Sequence, residues 1–522
     1  MKPATSSVSA HIARFCIAAA LLLFLSILIG LSVLSLLATT DMHTDNPPRE
    51  GVTYRADSLL LNLGILLLSV LMLLLLWTLL KKIPHGTVCG AAVLVLTVLG
   101  FLWVSAVQGV PMQDSAIVTR AAYHLSIGDP THLTTDYFLR FPYQLGYVLF
   151  CEILLRLFPT GGNLMLLQYA NVLCLPLIYI SILRCMRLSF ARERDGVMRM
   201  AAILLLLFLP PVFFCTFAYG ILPALLFSCL AMWQFLALDR TETKKKRILH
   251  LILCALFLGI AVCLKKNSMI VLCAILIIGI VRALREKDLA IPLCLLLCLL
   301  CSLGLPKAVQ WQYEVRTDFS FGKGVPMQAW TAMGLHDSYI APGWYESKYV
   351  VQDFYTANKD PDAMKPLLEE AIRERLQVFS EDPAYTVAFF SEKIASQWNE
   401  PTYQGIWLAE VRQHYGGSMH PLAEWICGEG EDGVSQYLNY VQQLLLPLSA
   451  VGVLLLLRER RARDILFPTV FLGGFFYHLL FEAKSQYCMI YILLLIPVAA
   501  LGADLLLQRI AQGLQYLKKR KT

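Results

Sequence analysis

The sequence predicts an all-α polytopic membrane protein with about twelve transmembrane helices and an extracytoplasmic domain, mixed or mainly helical, between the ninth and tenth. Three observations carry this. Of the 522 residues 57% are hydrophobic and only 16% charged, whereas soluble domains run near 45–50% and 25%. Apolar runs of about twenty residues recur, LLLNLGILLLSVLMLLLLWTLL at 59–80 among them, and each can cross roughly 30 Å of hydrocarbon as a helix. The period-two alternation of a membrane β-barrel is missing.

The first run, from Phe15 to about Leu37, is too long for the apolar core of a signal peptide and lacks a small-residue cleavage site, so it reads as a retained span. Spans are predicted at 14–38, 58–80, 86–107, 163–185, 198–217, 221–238, 247–264, 268–283, 289–305, 439–457, 463–481 and 487–507. With the N-terminus in the cytoplasm, the inside connections carry Lys81 and Lys82, then Arg184, Arg187, Arg192 and Arg194, then Lys244 to Arg247, then Arg282, Arg285 and Lys287. Arg458, Arg460, Arg461 and Arg463 follow, and finally Lys518 to Lys521. Every inside connection is basic, as the positive-inside rule requires. The expectation is a plasma or inner membrane protein with both termini cytoplasmic, whose net charge of +7 is cytoplasmic anchoring and not a nucleic-acid surface.

The segment FPYQLGYVLFCEILLRLF, 141–158, is excluded from the spans. As a span it would invert every later loop, and it carries Gln144, Glu152 and Arg156, so it reads as an amphipathic helix in the outer interface. Three regions result: an N-terminal membrane module over 1–305 with a first external loop at 108–162, an extracytoplasmic domain over 306–438, and membrane helices with a basic cytoplasmic tail over 439–522. The two external segments hold the polar sequence that chemistry outside the membrane would need. Nearly all fifteen cysteines lie in apolar runs, where they act as small hydrophobes, with Cys427 in polar sequence. No disulfide framework or structural zinc is expected.

The stretch GVPMQDSAIVTRAAYHLSIGDP, 109–130, holds the first candidate for chemistry. Asp114 stands just before an expected helix of about 115–127 that stops at Gly128, which makes it an N-cap by ordinary helix signals. A helix N-terminus favours negative charge, so a cap and a catalytic base are compatible. An acid just past an early span, a short helix ending in Gly-Asp and then a Pro-aromatic interfacial helix resemble the first external loop of the GT-C superfamily of membrane glycosyltransferases. That superfamily includes protein O-mannosyltransferases and lipid A aminoarabinose transferases. The matching residues are Pro111, Asp114, Arg120, Ala121, Leu125, Gly128, Asp129, Pro142, Gln144, Gly146 and Tyr147. The resemblance implies a polyprenyl-phosphate-linked sugar as donor, an extracytoplasmic acceptor (protein, envelope polymer or lipid), inversion at the sugar, and Asp114 as the base. Asp129, Tyr143 and Gln144 are candidates for substrate contact on the same loop.

FEAKSQY at 481–487 looks like the Glu-x-x-Ser-Arg-Tyr element of bacterial members, with Gln486 in place of the arginine and Lys484 as the local cation. Glu482 and Tyr487 are substrate-binding candidates by that likeness. PMQAWTAMGLHDSYIAPGWY at 326–345 looks like the opening of the large external loop in Gram-positive relatives, which brings in Trp330 and His336. Relatives often carry an acid after the tyrosine at the outer end of a middle span; YGILPALL at 219–226 has none.

Lys265 and Lys266, in a very short turn at the outer end of two spans, run against the charge rule. They read either as lysines snorkelling to lipid headgroups or as a cationic seat for a lipid phosphate. Arg120 would bind phosphate or pair with Asp129. His124, His336 and Asp337 lack ligand spacing, so no metal site and no cofactor is assigned, and a divalent ion is neither required nor excluded. Trp330, Trp344, Tyr345 and Trp398 suit stacking on sugars or a domain core. The competing class is a multispanning transporter or a flippase for lipid-linked sugars. The repeat of GVPMQ at 109–113 and 324–328 favours it; the lack of shared pattern between spans four to six and ten to twelve, and the few mid-membrane ionisable residues, oppose it.

Overall fold

Leucine-rich runs fold as helices here because long unbranched or γ-branched side chains lose little freedom in a helix, and because a helix satisfies the backbone polar groups that lipid cannot. The computed structural model describes residues 7–45, 49–190, 195–238, 243–286, 288–409, 418–459 and 461–521. Arg192, Arg194, Lys287 and Arg460, counted above as cytoplasmic charges, lie outside the described residues.

Helix α1 (Ser7–Leu37) leads into a hairpin of β1 (Ala38–Asp45) and β2 (Arg49–Ala56), then α2 (Leu59–Leu80), α3 (His85–Val107), α4 (Gln113–Ser126), α5 (Asp136–Arg140), α6 (Leu145–Leu157) and α7 (Met165–Ser189). Next come α8 (Asp195–Leu207), α9 (Pro210–Phe213), α10 (Ile221–Ala237), α11 (Lys244–Leu264), α12 (Met269–Glu286) and α13 (Ala290–Thr317). The long polar segment holds α14 (Met327–Gly334), α15 (Asp353–Thr356), α16 (Pro361–Glu381), α17 (Pro383–Trp398) and α18 (Pro421–Ile426), before α19 (Glu431–Glu459), α20 (Leu466–Leu480), α21 (Met489–Leu493) and α22 (Ile496–Lys521).

Among the described residues, eight helices are long and apolar enough to cross a membrane, and ten are if the pairs α8–α9 and α21–α22, bent by 50° and 48°, each count as one. Two shorter apolar helices, α10 and α20, coincide with the spans predicted at 221–238 and 463–481. The chain is a multi-pass membrane protein. Its outermost helix, α2, buries only Asn62 and Leu73, and leaves Leu60, Leu67 and Leu68 on an apolar surface suited to lipid. The interior is built by α10, α19 and α22. Backbones come close where α19 crosses α22: a Cβ on Gly502 would lie 1.8 Å from the Leu448 carbonyl oxygen and one on Gly452 2.2 Å from that of Val498. Such small-residue contacts are how membrane helices gain packing without a hydrophobic drive.

The 141–158 segment forms a short 3-10 turn (Pro142–Gln144) and α6. Its thirteen helical residues extend about 20 Å, short of the hydrocarbon thickness. One face of α6 is buried and carries Glu152, whose carboxylate accepts from Arg316 at 2.7 Å, Tyr313 at 2.7 Å and Arg156 at 2.9 Å. Burial alone would raise the Glu152 pKa; hydrogen bonds from Arg316 and Tyr313 outweigh it and hold the pKa below the usual value. This charge cluster fastens α6 to the end of α13.

The β-hairpin, unforeseen in the sequence, pairs Ala38 with Ala56 through Asp45 with Arg49. It docks on the end of α17: the Thr40 N–H donates to the Asn399 carbonyl at 3.2 Å, the Thr40 hydroxyl to that of Ala395 at 3.0 Å, and the Asn399 amide to that of Ala38 at 2.7 Å. The hairpin therefore ties the N-terminal helices to the large polar segment.

Candidate active site

Helix α4 begins at Gln113, so Asp114 lies within its first turn and is not the N-cap that the sequence suggests; Met112 holds the cap position with no side-chain cap bond. Gln113, at φ 47°, makes the sharp entry that a capping residue would otherwise make. The carboxylate is thus free of capping. It accepts a hydrogen bond from the Tyr219 hydroxyl at 2.9 Å, and that hydroxyl in turn accepts from the Gln144 side-chain amide. The next residue fixes the register, because Ser115 donates to the Ala218 carbonyl at 2.7 Å.

Tyr219 belongs to a turn between α9 and α10 that reverses at Gly220, φ 81°. A Cβ there would press on the Tyr147 ring at 3.1 Å and the Leu264 carbonyl at 3.2 Å, so the turn can sit against the end of α11 only with glycine. Lys265 follows that helix directly. Its ammonium lies 3.6 Å from the centre of the Tyr219 ring and 3.4 Å from the Tyr219 carbonyl oxygen. One tyrosine therefore touches the acid with its hydroxyl and the lysine with its ring face. Burial pulls Lys265 down to about 7, against the upward pull of Asp114 and Glu482. Lys266 stands over Tyr143 at 5.7 Å.

The third wall is the loop 481–487 between α20 and α21. The large polar segment holds it in place: Ala483 N–H donates to the Gly343 carbonyl at 2.7 Å, the Lys393 ammonium donates to the carbonyls of Gly334 and Phe481, and Ser485 donates to Glu400 at 2.7 Å. Burial brings Lys393 down to about 7 as well. On the loop, Tyr487 donates to Glu482 at 3.3 Å, and Lys484 donates to Glu50 of β2 at 2.7 Å. Burial lifts Glu482 to about 7, with Lys484 opposing. Burial lowers Lys484, but Glu50 and Glu482 reverse the sign and hold it above its ordinary value.

These walls enclose a cleft of about 470 Å³. Asp114, Lys265, Lys266, Lys484, Tyr143, Gln144, Trp330, Glu482 and Tyr487, all singled out in the sequence, line it. Tyr345, a stacking candidate in the sequence, lines it too, as do Glu50 and Tyr219. A narrow apolar crevice walled by Ile221, Leu225, Val271, Val470, Ile490 and Leu494 adjoins it and shares Lys265, Asn267, Gln486 and Tyr487 with it.

Arg120, Asp129 and His336 fall outside the cleft lining. Arg120 is exposed on α4, and the partner of Asp129 is His124, at 2.9 Å, and not Arg120. Hydrogen bonds from the Thr131 hydroxyl and N–H, with His124 adding to them, hold Asp129 at about 2. His336 packs on Tyr349, while Asp337 pairs with Arg375 at 2.9 Å; His124 joins neither. Among the stacking candidates, Trp344 is buried and donates to Ser396 at 2.9 Å, and Trp398 is core, against Phe471 and Phe475. Glu50 went unnoticed because nothing in REGVTYRA marks it. Tyr219 lay in the YGILPALL stretch, read there for an acid it lacks.

Two further motifs do no work at the cleft. Cys254, Cys294 and Cys298 gather in the bundle, two sulfurs 3.7 Å apart. GEGEDG at 428–433 has the spacing of a dinucleotide loop, yet it follows the short helix α18 and not a strand, and Glu429, Glu431 and Asp432 would repel a phosphate.

No protein-family model and no curated protein matches the chain. Among solved structures it is similar to the archaeal oligosaccharyltransferase AglB from Archaeoglobus fulgidus in complex with an inhibitory peptide and a dolichol-phosphate, at 12% identity and TM-score 0.43, covering 84% of this chain and 52% of that one. It is also similar to the apo form of the Archaeoglobus fulgidus oligosaccharyltransferase, at 12% identity and TM-score 0.46, covering 83% and 52%. The chain spans about half the length of these enzymes.

Proposed function

We propose that the protein is a GT-C-type membrane glycosyltransferase that moves a sugar from a polyprenyl phosphate to an acceptor at the extracytoplasmic face, with inversion. The observation that carries this reading is a single cleft with a carboxylate, Asp114, on one wall, lysines on another, and an apolar crevice leading away from the lysine side. Asp114 takes the proton of the acceptor hydroxyl. The acceptor oxygen forms its bond to the anomeric carbon as the bond from that carbon to the phosphate oxygen breaks, and the polyprenyl phosphate departs with its charge held by Lys265 and Lys266. Cations aimed at the leaving phosphate stabilise the charge that grows there. Lys484, already neutralised by Glu50, orients that wall more than it supplies charge. The crevice suits the first isoprene units, and the rings of Trp330 and Tyr345 suit the faces of the sugar.

The test is Asp114→Asn in a reconstituted assay with polyprenyl-phosphate sugars and envelope acceptors. Transfer should fall by a factor of about a hundred or more, the range of general-base loss, with insertion and detergent behaviour unchanged. Undiminished transfer removes Asp114 from the role of base. Uptake or flipping of the lipid-linked sugar without any glycosyl product returns the chain to the transporter class, and a retained anomeric configuration in the product rejects direct displacement.

A further inference from the structure

Away from the cleft, at the far end of α4, two histidines and a carboxylate converge. His124 lies in the last turn of the helix, and Asp129 and His132 lie in the loop that follows. One ligand-type atom from each of the three lies within 4.8 Å of the others. The two imidazole rings have centres 3.8 Å apart with planes inclined by 31°, and His124 Nδ1 is 2.9 Å from Asp129 Oδ2. All three side chains are partly buried.

The loop is organised before any ligand arrives. Gly128, at φ 92°, lets the chain turn back, and the N–H groups of Ile127 and Asp129 both return to the His124 carbonyl, at 3.2 and 2.9 Å. The other carboxylate oxygen of Asp129 is taken by the N–H and hydroxyl of Thr131, at 2.9 and 2.7 Å. Oδ2 is therefore the oxygen aimed at the histidines. Outer bonds of this kind fix the orientation of metal-binding carboxylates. A hydrogen-bonded His124–Asp129 pair would account for two of the residues. It does not account for His132, whose ring lies against that of His124.

From this geometry we infer that His124, Asp129 and His132 form a binding site for a divalent transition metal of the zinc class. Two imidazoles and one carboxylate are ligands that such ions accept, with water in the fourth place. Ligand atoms at about 2.0–2.1 Å from zinc stand roughly 3.3 Å apart with each imidazole plane directed at the ion, so binding requires the two stacked rings to turn apart and the ligand atoms to close by up to about 1.5 Å. His124 is ten residues beyond Asp114 on the same helix, or about 15 Å along its axis. The ion would consequently take no part in events at the cleft. It would staple the end of α4 to the loop leading into α5, and the inference stands independently of the transfer reaction.

The experiment uses the full chain, without a histidine tag, purified in detergent and stripped with a chelator. Zn²⁺ is titrated calorimetrically, and Co²⁺ by visible absorption. One ion per chain is expected, with a rise in Tm on adding Zn²⁺ and a tetrahedral Co²⁺ spectrum. His132→Ala and Asp129→Asn should each weaken binding at least about tenfold and abolish the Zn²⁺-dependent rise in Tm; should His132→Ala fail to fold, His132→Gln serves in its place. Absence of stoichiometric binding by the wild type overturns the inference, and so does full affinity in a folded His132 variant.

Discussion

At Tyr219 two interactions can be separated by choice of substitution, because the hydroxyl meets Asp114 and the ring meets Lys265. Tyr219→Phe keeps the ring and removes a hydrogen bond to a charged group, worth about 1.5–3 kcal/mol. It should lower kcat by about 10- to 100-fold while leaving the donor KM nearly in place. Tyr219→Leu removes the ring as well and should raise the donor KM in addition; identical kinetics for the two variants would show that the ring does nothing for the lysine. Lys265 makes a second prediction through its position near 7. Below that pH the side chain is an ammonium ion able to hold a phosphate, and above it the charge is lost, so kcat/KM for the donor should fall as pH rises through 7. Lys265→Arg, charged at every accessible pH, should flatten the decline. A wild-type profile that is flat from about one unit below to one unit above pH 7 would remove Lys265 from phosphate binding.

Among the elements, α6 and α11 meet where the cleft is made. A Cβ on Gly146 would lie 1.9 Å from the carbonyl oxygen of Cys263, a backbone atom with nowhere to go. Gly146 is two residues past Gln144 and Cys263 two residues before Lys265, so any separation of these backbones splays the acid side of the cleft from the lysine side. Gly146→Ala should therefore cost about 1–3 kcal/mol through overpacking, read as a lower Tm, and should reduce transfer by more than the loss of folded protein explains. Gly64→Ala, on α2 with open space around it, should change neither. The same elements show what local sequence can convey. Pro111 and Gly128 bracketed α4 nearly correctly, but the register of Asp114 turned on the left-handed φ of Gln113, which no capping preference foretells. The basic and acidic residues of α6 marked it as something other than a span, yet the partner of Glu152 was Arg316, 164 positions away.

For the molecule as a whole, hydropathy was enough to locate the long apolar helices, because lipid forces each crossing segment to announce itself by length and composition, but not the bends that break the segments at 195–216 and 485–520. The lysine turn was legible for the opposite reason, since charge beside apolar runs is conspicuous, and the FEAKSQY loop by its likeness to the Glu-x-x-Ser-Arg-Tyr element. What stayed hidden was everything set by distant pairing. The strands ATTDMHTD and REGVTYRA carry no two-residue Asn-Gly turn signal and few β-branched residues in alternation, and they are held chiefly by α17, more than 300 residues later. In the sequence His124 was weighed as a metal ligand with His336 and Asp337, Asp129 stood as a substrate-contact candidate and His132 went unmarked; the turn at Gly128 is what gathers the three.

The pairing of Glu50 with Lys484 carries a consequence for the life of the chain. The two residues are 434 positions apart, which at about 5–20 residues per second of synthesis means a wait of roughly 20 to 90 s. Asp114 and the lysine turn are made during that interval, so that by its end they stand on the ribosome-bound chain without the wall that completes the cleft. The nascent protein thus lacks the partner of Glu50 until its last helices are made, and a chain cut short by a premature stop before them would be released with that carboxylate unmatched.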